Sequence, residues 1–160
     1  MKKGFTLIET LLYLGLYTII IGGMLAAIYG MFQSNAHNET QAMLEEEGDF
    51  LVGKINWILS NTLFIQSPKN SGSILTIIRS DGTSVSLSSV AENMRIREGS
   101  SPAHVLNNSN VSVLNPTFVQ LPALQGATSE GVSASFRVIA TTSDGHPLQR
   151  NFTTLHYLRI

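Results

Sequence analysis

Residues 2–32 read KKGFTLIETLLYLGLYTIIIGGMLAAIYGMF, and the rest of the chain is interpreted around them. Two lysines and a glycine open the stretch, and after them only Glu9 is charged. Leu11 to Phe32 gives about 22 uncharged positions, roughly 33 Å of helix at ~1.5 Å per residue, against a hydrocarbon core of ~30 Å. The run is long enough to span a bilayer. Lys2 and Lys3 place its start on the cytoplasmic side and the rest of the chain across the membrane. A carboxylate inside such a helix costs on the order of 2.5–3.5 kcal/mol on insertion scales. Glu9 lies roughly 9 Å along a helix from Lys3. It is either tolerated near the headgroups, kept protonated, or matched by a cation.

An ordinary secretory signal has an apolar region of about 7–15 residues ending in a small-x-small site. This run is longer, and Ala26-Ala27 stands between Met24-Leu25 and Ile28. A plain single-pass anchor fits the length but gives no reason for Gly4 or Glu9. Gly15, Gly22, Gly23 and Gly30 each weaken an isolated helix by about 1 kcal/mol relative to alanine. They read as close helix packing, or, at Gly22-Gly23, as a place where the helix can extend.

The sequence Gly4-Phe5-Thr6-Leu7-Ile8-Glu9 behind a short lysine-containing leader resembles the processing motif of type IV pilins and type II secretion pseudopilins. The resemblance implies cleavage of the Gly4–Phe5 bond by a prepilin peptidase, N-methylation of Phe5, and pairing of Glu9 with the new amino terminus of a neighbouring subunit. It further implies other pilin or pseudopilin subunits, an inner-membrane assembly platform and membrane lipid as partners. An α-ammonium and a carboxylate about 4 Å apart attract by ~4 kcal/mol at an effective dielectric near 20, comparable to the insertion cost. The likeness is close over about the first 30 residues and one of layout beyond them. Many major pilins have a cysteine pair and a proline in the helix. This chain has neither, which tilts the resemblance towards a minor pilin or a J-like pseudopilin.

Past Phe32 the chain turns polar, and Leu44, Leu51, Ile55, Ile58 and Thr62 then follow the spacing of one helix face. Met43, Phe50 and Leu59 broaden that stripe, with Trp57 to its side. The expected organisation is a leader over 1–4, a transmembrane assembly helix over 5–32, an amphipathic continuation over 33–66 and an antiparallel β domain over 67–160. Glu45, Glu46, Glu47 and Asp49 crowd one turn, as a solvated face, a subunit contact or a cation site. From Ile74 the period changes to two. Asp81-Gly82 joins Ile74–Ser80 to Thr83–Leu87 as a hairpin, and Met94–Arg97, His104–Leu106, Val111–Leu114 and Thr117–Leu121 read as short segments. The stretch 126–131 reads as an exposed loop. Val132, Ala134, Phe136, Val138 and Ala140 alternate strictly, and Asp144-Gly145 turns the chain into Leu148–Tyr157, with Leu148, Phe152 and Leu155 pointing inward. Helix first and sheet after gives an α+β fold, with the long helix on one face of a sheet.

The net charge of −1 gives no reason to expect nucleic-acid binding. There is no cysteine, hence no disulfide and no thiol chemistry. His37, His104, His146 and His156 are dispersed outside any metal-ligand spacing, and no nucleophile elbow or phosphate loop is present. No cofactor, metal or catalytic residue is expected. Asn38, Asn107, Asn110 and Asn151 begin N-x-S/T sequons. A membrane-tethered adhesin-like binding module, with its specificity in the loops at 99–110 and 126–131, and an exported enzyme on a single-pass anchor remain as alternatives.

Overall fold

The computed structural model describes residues 6–123 and 130–158. Its first element, α1, runs Leu7–Ser60. The chain divides into two compact units, Met1–Glu39 and Thr40–Ile160, so that α1 belongs to both. The fold class is α+β, with the second part of the helix packed on antiparallel strands.

Within the second unit α1 buries Thr40, Leu44, Gly48, Leu51, Ile55, Ile58 and Leu59. Steps of three and four residues put these on one side of the helix. The helix stops at Ser60 rather than continuing to residue 66. Thr62 donates its hydroxyl to the Ile58 carbonyl (3.1 Å), and the Asn61 N–H reaches the same oxygen. The next residues, Thr62-Leu63-Phe64-Ile65, are β-branched or aromatic apart from one leucine and suit a pleated strand. They form β1 (Thr62–Ser67). The expected amphipathic continuation over 33–66 is therefore shorter by its last six residues.

The remaining strands are β2 (Ser71–Gly72), β3 (Leu75–Arg79), β4 (Ser84–Val90), β5 (Asn93–Glu98), β6 (His104–Val105), β7 (Val111–Leu121), β8 (Gly131–Thr141) and β9 (Pro147–Tyr157). They make two antiparallel sheets rather than one, with orders β1-β3-β4-β5-β6 and β2-β7-β8-β9. The β3–β4 hairpin turns at Asp81-Gly82, where Gly82 takes φ 81°, a conformation without penalty only for glycine. Between β4 and β5 the turn is Ala91-Glu92, both left-handed at φ 51° and 62° without a glycine. The segments expected separately at 111–114 and 117–121 are one strand, β7. Its register shifts between Leu114 and Thr117, and Asn115 has φ 49°. A bulge at this point accommodates Pro116, which has no N–H for the ladder. The loop expected over 126–131 falls outside the described residues except for Glu130 and Gly131, and Gly131 already begins β8.

All five alternating residues of β8 from Val132 to Ala140 are buried. They share a core with Leu75, Ile77, Val85, Leu87, Met94 and Ile96 of the other sheet and with the buried stripe of α1. On β9 the inward positions are even-numbered: Leu148 and Phe152 are partly buried, and Thr154 is buried. Leu155, expected inward, is 56% exposed. Strict two-residue alternation gives the inward place to Thr154, whose hydroxyl bonds the Asn56 side chain at 2.8 Å.

Candidate functional site: the exposed apolar segment and its acid

The expected site residues are Gly4, Phe5 and Glu9. Gly4 and Phe5 lie outside the described residues. Glu9 stands in the first turn of α1 and is partly exposed. The Thr6 carbonyl accepts the N–H groups of Glu9 (3.0 Å) and Thr10 (3.2 Å), which makes Thr6 the cap and Glu9 the third helical residue. Thr6 and Glu9 thus have the spacing of a capping box, a local signal carried by the sequence itself. A carboxylate here is favoured by the positive end of the helix dipole. Among the described residues Glu9 enters no salt bridge; the ion pairs are Arg79–Glu98 and Arg150–Glu45, with His146 Nε2 4.0 Å from an Asp144 oxygen.

Beyond Glu9 the segment is apolar on every side. Leu7 is 80% exposed and Ile19 75%, and no described residue before Thr40 is buried. This is a helix long and apolar enough to cross a membrane, near the N-terminus. Thr10 and Thr18 return their hydroxyls to the carbonyls of Leu7 and Leu14 (both 2.8 Å), which hides their polarity from an apolar surrounding. Helix α1 runs unbroken through Gly22-Gly23, and a Cβ at Gly15, Gly22, Gly23 or Gly30 would meet nothing within 4 Å. Among the described residues nothing packs against these four positions.

The acidic turn at 45–49 separates into two pairs. Glu45 is bound to Arg150, and Glu47 accepts the backbone N–H of Asn108 at 2.7 Å. Glu46 and Asp49 face solvent. Trp57 is 48% exposed, with Lys54 4.4 Å and Arg79 5.1 Å from its ring centre. The four histidines sit on four different elements: α1, β6, the β8–β9 turn and β9. Among the described residues no group of three or more His, Cys, Asp or Glu could hold a metal ion. Asn107 is a structural clamp: its Oδ1 accepts the Met94 N–H, and its Nδ2 donates to Asn93, Asn108 and Val111. It is 6% exposed, so its sequon is closed to modification in the folded chain.

Comparison of the chain with protein-family models, with curated proteins and with solved structures finds no match to any of them.

Proposed function

We propose that this chain is a structural subunit, a minor pilin or pseudopilin, of a type IV pilus, competence pseudopilus or type II secretion filament. The observation that carries the reading is a single acid in the first turn of a helix whose following 20-odd residues expose apolar side chains all round. Such a surface is stable in lipid or against like helices, and not in water. The Gly4-Phe5 step and Glu9, with the lysines before them, supply the resemblance on which the assignment to this family rests.

In this reading a prepilin peptidase removes residues 1–4 and Phe5 is methylated. The helix then waits in the plasma membrane with its N-terminus cytoplasmic and the β domain outside. Glu9 offers a carboxylate to the amino terminus of a neighbouring subunit, whose charge offsets the cost of burying the acid. Extraction through an inner-membrane assembly platform exchanges lipid contacts for helix–helix contacts. The open glycine positions let neighbouring backbones come close. The work of the protein is assembly rather than turnover.

Co-expression with a prepilin peptidase, followed by intact-mass and N-terminal analysis, is the test. The expected product begins at methylated Phe5, and a chain retaining Met1–Gly4 would sink the reading. Glu9→Ala should insert into membranes normally and enter filaments poorly. Normal incorporation of that variant would remove the pairing step while leaving the processing step standing.

A further inference from the structure

The four-stranded sheet ends on β9, an eleven-residue strand whose pairing with β8 has no register shift from Gly131↔Tyr157 to Thr141↔Pro147. The hydrogen bonds just beyond the two ends of the ladder fix its phase. Thr142 N–H bonds the His146 carbonyl, and Leu158 N–H bonds the Glu130 carbonyl. Even-numbered residues of β9 therefore turn their N–H and C=O groups towards β8, and odd-numbered ones turn theirs outward. Gln149, Asn151, Thr153, Leu155 and Tyr157 present backbone donors along the free side, and no described backbone group bonds them.

The other strand edges are blunted. Strands β2 and β6 are two residues long, and β1 carries two register shifts. Short and bulged edges are how sheets avoid unwanted pairing. Strand β9 has no bulge, its sole proline is its first residue, and its odd-numbered side chains from Gln149 to Tyr157 carry no charge. It is a long, regular, open edge.

We propose that this edge is a strand-acceptor site, taking an extended segment of another protein as an added antiparallel strand with an acidic side chain near its middle. The acid is specified by Arg137. Its Nε bonds the Asn151 side chain at 3.0 Å, and Nη1 reaches Gln149 at 3.5 Å. The guanidinium thus reaches β9 on the sheet face that carries its odd-numbered side chains, beside a hollow of about 300 Å³ shared with Asn115, Ser135, Asn151 and Thr153. Among the described residues no carboxylate pairs with it.

A second copy is a poorer occupant: β9 contains no aspartate or glutamate, so a second β9 laid along this edge brings no acid to Arg137.

The test uses the full chain in lipid nanodiscs and a blocked nonapeptide of alternating threonine and valine with glutamate in place of its central threonine. Amide hydrogen exchange is read residue by residue. Without peptide, the even-numbered amides of β9 should be protected and those of Gln149, Asn151, Thr153 and Leu155 should exchange fast. With peptide, the odd-numbered amides should slow about tenfold or more. Thr153→Pro removes one outward N–H without cutting the β8 ladder. It should abolish the slowing at Asn151 and Leu155 and leave the even-numbered amides protected; Leu155→Pro is the second variant should the first misfold. Arg137→Gln should weaken peptide binding several-fold. Protection of the odd-numbered amides before any peptide is added would overturn the proposal: concentration-dependent protection would mean a second copy, and concentration-independent protection would mean an edge already covered. Peptide-induced slowing that survives both proline variants would overturn it as well. None of these results bears on cleavage at Gly4–Phe5, so the proposal and the filament reading fail separately.

Discussion

The two parts of α1 lie in one continuous helix and have opposite surfaces. From Leu7 to Glu39 no residue is buried, although leucine, isoleucine and tyrosine crowd every side. From Thr40 to Ser60 seven residues are buried, with Leu51, Ile55, Ile58 and Leu59 at 1% exposure or less. The first part is the more apolar, so apolar content alone does not decide which residues leave the solvent. Distribution around the helix does. A stripe can be covered by one sheet surface, whereas an apolar cylinder needs a surrounding medium or several neighbours. Among the described residues nothing covers the first part, which is long and apolar enough to cross a membrane.

The strongest way to break this contrast is a matched pair of truncations. Ile55 is fully buried among core residues, and Ile55→Ala should cost the domain about 2–5 kcal/mol in urea unfolding. Ile20 is 57% exposed, and Ile20→Ala should leave the same transition within ~0.5 kcal/mol. Equal losses from both substitutions would mean that the first part contributes to the domain core after all.

A smaller contrast compares two glycines of the same helix. A Cβ at Gly48 would overlap the Phe152 ring, which stacks on Phe136 with ring centres 5.7 Å apart. Gly48→Ala should destabilise by about 1–3 kcal/mol, because both rings must shift. At Gly22 the same methyl meets nothing, and Gly22→Ala should favour the helix by up to about 1 kcal/mol. Circular dichroism of the two variants in detergent, with unfolding of the domain followed alongside, reads both signs. Destabilisation by Gly22→Ala would mean that this face of the helix is packed against a neighbour.

Much of this architecture can be read from residue order, and the exceptions have physical causes. The two-residue period from Ile74, the Asp-Gly turns at 81–82 and 144–145, and the inward row of β8 are all local signals. The stop at Ser60 and strand β1 are not among them, because the apolar stripe of α1 runs on through Thr62 in the sequence. At Leu155 hydrophobicity and alternation point opposite ways, and in a regular strand alternation prevails. Pro116 is a local signal to end a strand, and only the bulge around Asn115 allows β7 to pass through it. The Ala91-Glu92 turn carries no glycine, so nothing in its composition announces two left-handed residues. The division into two sheets depends on contacts between distant strands. The same is true of the Glu45–Arg150 pair, 105 residues apart in sequence. At the candidate site, Glu9 was legible because it is alone among apolar residues. Its first-turn position after the Thr6 cap is equally local.

The smallest expected effect is at the hairpin turns, and it asks whether the packed part of the molecule responds to acid through its far ends. The Thr83 N–H, at 2.8 Å from Oδ1, and then the Thr83 hydroxyl hold the Asp81 carboxyl below its ordinary range. At Asp144 the Thr142 hydroxyl does the same, with a lesser contribution from His146. A lowered pKa in the folded chain means that the ionised form is favoured by folding. The stabilisation is complete above the ordinary carboxylate pKa of ~3.9 and is lost as pH falls through the lowered value. Both groups are exposed and screened, so the loss should be local rather than global. Amide shifts of Thr83 and of the 142–146 turn should titrate together with their aspartates below the usual range. Asp81→Asn should abolish the first titration and spare the second. A single titration shared by both turns in that variant would mean that acid acts on the sheets as a whole and not through these two carboxylates.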